Sequence, residues 1–154
     1  MGIGITPEMK MIRALFILAM VFVVSSANAA SICEDYLIKS NELGCDSTNY
    51  LTAYGYRYCA AFEKRQPSFT PSGQTVLSHL RFCLLDALSK AQVTCDSVEA
   101  FAFESHVSCY VESGFCEMNS LDKMHILWMI RDQVATPNFA EVGAAVAAEC
   151  VRGQ

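Results

Sequence analysis

The sequence predicts an all-α fold: a small, disulfide-stapled helical domain of about five helices. Three observations predict it. Apolar residues recur at spacings of three and four, best at Leu77, Leu80, Leu84, Ala87, Leu88 and Ala91, as the buried stripe of a helix requires. No segment alternates polar and apolar residues as a half-buried strand would. Eight cysteines, Cys33, Cys45, Cys59, Cys83, Cys95, Cys109, Cys116 and Cys150, all follow an N-terminal secretory segment. An even count in a secreted chain implies an oxidised framework.

The secretory segment is residues 1–29. Lys10 and Arg13 precede an apolar run over 14–24, and Ala27-Asn28-Ala29 supplies the small residues of a cleavage site. The run is shorter than the roughly 20 residues that a membrane-spanning helix needs, so no stable membrane insertion is expected. Residues 30–154 are then one helical, cysteine-rich domain, secreted and extracellular. Removing Lys10, Arg13 and Glu8 turns the net charge of −5 into −6. An acidic secreted domain with no basic run longer than Lys64-Arg65 is a poor partner for nucleic acid.

The first mature helix is expected over 33–44, with Tyr36, Leu37 and Leu43 apolar and Gly44 closing it. Asp46, Ser47 and Thr48 offer caps for the next segment. There Tyr50, Tyr54 and Tyr58 recur every four residues. This stripe reads as a half-buried helix side whose hydroxyls reach water, rather than as a binding face. Gly55 within it weakens the helix by about 1 kcal/mol. After a loop at 66–69, Thr70-Pro71 reads as an N-cap with proline at the first helical position. The helix that follows is the strongest in the chain.

Asp96 and Glu99 form a capping-box pattern for a helix over 95–109. Fourteen positions at about 100° each would set Cys95 and Cys109 on one face, with Val98, Phe101, Ala102 and Ser105. Gly114 interrupts before Cys116. Ser120 is expected to cap a helix running through Met124, Leu127, Trp128 and Ile130, which Thr136-Pro137 ends. Asn138 and Glu141 form a second capping-box pattern. In the last helix Val142, Ala145, Val146 and Cys150 share an inward face.

Catalytic signatures are missing from the sequence, and the reading is that the chain is not an enzyme and carries no cofactor. There is no G-x-S-x-G, no phosphate-cradling glycine loop and no EF-hand loop. No close cysteine pair suggests a metal site. His79, His106 and His125 read as surface or boundary residues. The carboxylates are scattered singly, without the pairing that acid–base work needs. No N-x-S/T sequon occurs.

Eight cysteines allow about a hundred pairings, and spacing physics does not choose among them. The spacings do resemble those of a known family. Twenty-three residues separate Cys59 from Cys83, thirteen separate Cys95 from Cys109, and six separate Cys109 from Cys116. With the words Cys45-Asp46, Tyr58-Cys59, Leu80-Arg81-Phe82-Cys83 and Cys109-Tyr110, they resemble the stanniocalcins, secreted helical glycoprotein hormones. The gap from Cys116 to Cys150 is also similar. The resemblance covers about residues 33–150. It implies pairing of Cys33 with Cys59, Cys45 with Cys95, Cys83 with Cys109, and Cys116 with Cys150. It implies a hormone-like factor in calcium or phosphate homeostasis whose partner is an extracellular protein, a receptor or a pappalysin-type metalloproteinase.

The chain departs from the family in places. The stretch between Cys83 and Cys95 is shorter, and that between Cys45 and Cys59 is longer. The family's sequon before Cys-Asp is replaced by Leu43-Gly44. The C-terminal cysteine that links vertebrate members into dimers is missing, so no covalent dimer is expected and a non-covalent homodimer stays open. The alternative reading is a carrier of a lipid or small apolar ligand, with Met124, Trp128, Phe101, Phe103 and Leu84 around a cavity. Against it, the same residues can simply be core. Phe103, Tyr56 and Tyr110 are candidate exposed anchors for a protein partner.

Overall fold

The computed structural model describes residues 31–153. The expected secretory segment, residues 1–29, lies outside them. The described residues form six α-helices, one more than the expected number, and no strand. They are α1 (Asp35–Leu43), α2 (Arg57–Arg65), α3 (Pro71–Lys90), α4 (Val98–Glu112), α5 (Ser120–Met129) and α6 (Pro137–Arg152). A six-residue π turn, Leu51–Tyr56, runs directly into α2. Short 3-10 turns, Ile32–Glu34 and Gln66–Ser68, precede α1 and follow α2.

The helix ends follow local chemistry. Gly44 closes α1 in the left-handed conformation at φ 70°, and the N–H of Cys45 donates to the Ser40 carbonyl at 2.9 Å. Thr70 caps α3, its hydroxyl accepting from the Gly73 N–H, with Pro71 at the first helical position. Thr136 and Pro137 repeat the device on α6. That replaces the expected capping box at Asn138, whose side chain instead donates to Glu99. Asn119, not Ser120, caps α5, accepting from the Asp122 N–H at 2.9 Å.

The start of α4 also differs from expectation. Cys95 lies in the turn before the helix, so it shares no helix face with Cys109. Thr94 and Ser97 cross-bond there, with the Thr94 N–H donating to the Ser97 hydroxyl at 2.9 Å. That pairing, rather than an Asp96–Glu99 box, closes the turn. The inward face survives in part, since Val98, Ala102 and Cys109 are buried along α4.

Four disulfides join these elements, and their partners are the ones that the resemblance implies. Cys33–Cys59 ties the first 3-10 turn to α2. Cys45–Cys95 links the loops before the π turn and before α4. Cys83–Cys109 bolts α3 to α4, and Cys116–Cys150 bolts the loop after α4 to α6. Helix α4 packs on both α3 and α6.

Burial concentrates in two clusters. One gathers Cys33, Tyr36, Leu51, Cys59, Leu85, Leu88 and Val98. The other gathers Phe69, Leu77, Met118, Ile126 and Ile130. A buried carboxylate organises the second. Asp122, 2% exposed, accepts from the Thr70 N–H at 3.2 Å, the Thr70 hydroxyl, and the Asn119 amide at 2.6 Å. One anion thus joins the N-termini of α3 and α5, where helix dipoles favour negative charge. Burial alone would raise its pKa, but these hydrogen bonds, with the charge of His125, hold it below the usual carboxylate range. Gly73 makes room for it, because a Cβ there would sit 2.7 Å from the carboxylate carbon.

Helix α5 turns the opposite way from a core stripe through Met124 and Trp128. Ile126 and Ile130 are buried, while Met124 is 64% and Trp128 53% exposed. The reason is Asp122. Its bonds to Thr70 pull its own face inward, and Ile126 lies one turn along that face.

Candidate functional site

The six helices leave a pocket of about 300 Å³ between the two core clusters. Its wall draws on every helix and on the π turn. Tyr36 comes from α1; Tyr50, Tyr54 and Gly55 from the π-turn region; Tyr58 and Phe62 from α2. Leu77, Leu80, Arg81 and Leu84 come from α3, and Phe103, His106 and Tyr110 from α4. Ile126 and Leu127 of α5 and Val142, Gly143 and Val146 of α6 complete it.

The tyrosine stripe therefore faces the pocket. Tyr50 and Tyr54 stack at 5.9 Å between ring centroids, and Tyr54 meets Tyr58 at 6.2 Å. Tyr58 is held from outside, its hydroxyl donating to Asp132 at 2.8 Å. Gly55 is required by close approach rather than tolerated as a weak helix former. A Cβ there would lie 2.6 Å from Cε1 of Tyr36 and closer still to Cδ1. The π turn, a form frequent at functional sites, brings this glycine against the ring.

An aromatic row continues on α4. Tyr50 meets Phe103 edge-on at 6.1 Å, Phe103 contacts His106, and His106 stacks on Tyr110 at 6.0 Å. Burial pushes the Tyr36 and Tyr50 hydroxyls well above the usual phenol value and Tyr110 up to about 12. Burial lowers the pKa of His106, against a bond from its ring nitrogen to the Ala102 carbonyl that raises it. Near neutral pH these lining groups are uncharged. Arg81 is the exception, the lone charged residue on the wall among the described residues.

The sequence reading placed Leu84 and Phe103 in a cavity, and both line this pocket. Phe101 lines a much smaller neighbouring one. Met124 and Trp128 do neither, being exposed on α5. Tyr56, Phe103 and Tyr110 are half-buried, so they do not project as anchors. Phe82 and Trp128 are the most exposed aromatics among the described residues, and Trp128 has the guanidinium carbons of Arg131 and Arg65 4.5 and 5.9 Å from its ring. Of the histidines, His79 and His125 are exposed, while His106 lies in the pocket wall. Reading missed Arg81, because an arginine at a core-stripe position is invisible to hydropathy spacing. Its place four residues after Leu77 and four before Leu85 was the available signal. No cluster of metal-ligating side chains occurs among the described residues.

Fold and site together define a small all-α, disulfide-stapled domain built around an apolar pocket. No family model, curated protein or solved structure matches the chain. Four disulfides fit an oxidising compartment. No helix among the described residues is long and apolar enough to cross a membrane.

Proposed function

We propose that this chain is a secreted factor of the stanniocalcin type, acting in calcium or phosphate homeostasis by binding an extracellular protein. The observation that supports the reading is the set of four cysteine pairs, which coincide with those the resemblance implies. Recognition would be by a rigid surface. A scaffold stapled at four places loses little conformational freedom on binding, which favours affinity. The exposed Trp128 between Arg65 and Arg131 has the residue types that dominate protein interfaces. The partner class to test first is a pappalysin-type metalloproteinase. Purified secreted protein should block cleavage of that enzyme's protein substrate in a dose-dependent way, and Trp128→Ala should weaken the block. Unchanged cleavage at micromolar protein, with no complex on gel filtration, would contradict the protease partner. Unaltered calcium and phosphate uptake by cells given the protein would contradict the homeostatic role.

A second reading is favoured by a separate observation. The pocket of about 300 Å³ falls at the lower end of the range for small-molecule sites, which are mostly apolar with a few placed polar groups. A carrier of a small apolar ligand would look like this. Binding of a neutral long-chain alcohol, followed by calorimetry, tests it. A saturable 1:1 isotherm supports a carrier, and no heat of binding contradicts it.

A further inference from the structure

The pocket wall holds one feature that a purely apolar ligand leaves unexplained. Arg81 is 9% exposed, in the middle of α3, with leucines before and after it on the same helix. One guanidinium nitrogen donates to the Gln66 side chain. The other two, Nε and Nη1, are buried and have no hydrogen-bond partner. No carboxylate lies within ion-pairing distance among the described residues. Glu63 acts on Arg81 only from further off, and its carboxylate accepts from Ser31. A buried charge with unmade bonds is costly. Guanidinium is the group best matched to a carboxylate, through two parallel hydrogen bonds.

Elsewhere the pocket wall is mostly hydrocarbon and aromatic, with Leu77, Leu80 and Leu84 on the same helix as Arg81 and Phe62, Val142 and Val146 from others. A ligand that satisfies both parts has a single apolar chain and an anionic head. We propose that the pocket binds a fatty-acid-like carboxylate, its chain among the leucines and aromatic rings and its head paired with Arg81. This rests on the carrier reading and adds the charge of the ligand. The pairing requires the Arg81 side chain to turn, so that Nε and Nη1, which are shielded from the open pocket, meet the head group.

The test is calorimetry on the secreted protein with dodecanoate and with 1-dodecanol, both below their aggregation concentrations. The wild type should bind dodecanoate at least ten-fold more tightly than dodecanol. Arg81→Met, which keeps the apolar stem, should lose that preference while retaining dodecanol binding. Arg81→Lys should restore part of it. Unfolding temperatures of both variants, read by circular dichroism, check that they fold. Equal affinity for the two ligands in the wild type, or an unchanged preference in folded Arg81→Met, overturns the anionic head group and leaves the carrier reading standing. Binding of neither ligand overturns both.

Discussion

Gly55→Ala reverses sign between propensity and packing. In a helical segment, alanine is favoured over glycine by about 1 kcal/mol, so helix propensity alone predicts stabilisation. The structure predicts the opposite. The new methyl would lie 2.6 Å from Cε1 of Tyr36 and closer to Cδ1. Tyr36 is 6% exposed and packs in the first core cluster. Inserting a methyl into a packed core costs about 1–3 kcal/mol. Contact with two ring carbons puts Gly55 in the upper part of that range. After subtracting about 1 kcal/mol for propensity, the net loss is about 1–2 kcal/mol, or roughly 4–8 °C in Tm for a domain of this size. The assay is thermal unfolding by circular dichroism with the disulfides intact. Gly143→Ala is the internal control, because a Cβ there meets nothing within 4 Å, and it should leave Tm unchanged or raise it. A Tm for Gly55→Ala equal to or above that of the wild type would refute the packing argument.

Four further outcomes follow from the same structure. Leu77→Ala should cost about 2–5 kcal/mol in denaturant unfolding, because Leu77 is fully buried. Trp128→Ala should cost no more than about 1 kcal/mol, its exposed cation–π contacts being weak. Asp122→Ala should lose about 3 kcal/mol, since it removes charge-assisted bonds to Thr70 and Asn119. Because its folded pKa is lowered, the stabilisation it gives is present above the unfolded carboxylate value and is lost as pH falls through the folded one. Acid titrations should therefore show a stability difference between wild type and Asp122→Ala that shrinks below pH of about 4. Replacing both Cys45 and Cys95 by alanine opens a separation of 50 residues, costing about 4 kcal/mol in the chain-entropy model. Cys83 with Cys109, at 26, should cost about 3.5 kcal/mol. The denaturant midpoints should rank in that order.

Helix boundaries were legible where one residue's own chemistry decides them. Thr70-Pro71 begins a helix and Gly44 ends one in the structure as their backbone preferences require, whereas Thr136-Pro137, expected to end the preceding helix, begins α6, and α5 already stops at Met129. Capping was less legible where several residues compete. Around 94–97 and at 119–120, neighbouring polar side chains could all serve; Thr94 pairs locally with Ser97, and Asn119, which also donates to Thr70, caps α5. The face of α5 was hidden for a different reason. From Ile126 to Ile130 every residue is apolar, so hydropathy offers no preferred side. The choice falls to Asp122, whose burial depends on Thr70 fifty-two positions away. The pocket was illegible as a whole because its wall is assembled from all six helices. Its two correctly placed members, Leu84 and Phe103, sit on helices whose inward faces were readable, whereas Met124 and Trp128 sit on the helix whose face was not.

The connectivity of the cysteines underlies the packing of the helices and is the support for the proposed stanniocalcin-type reading. Peptide mass spectrometry of the non-reduced protein measures it directly. Cross-linked peptides should join Cys33 to Cys59, Cys45 to Cys95, Cys83 to Cys109, and Cys116 to Cys150. Cross-links between any other partners, such as Cys95 to Cys109, would contradict this pairing and remove the support for a stanniocalcin-type factor.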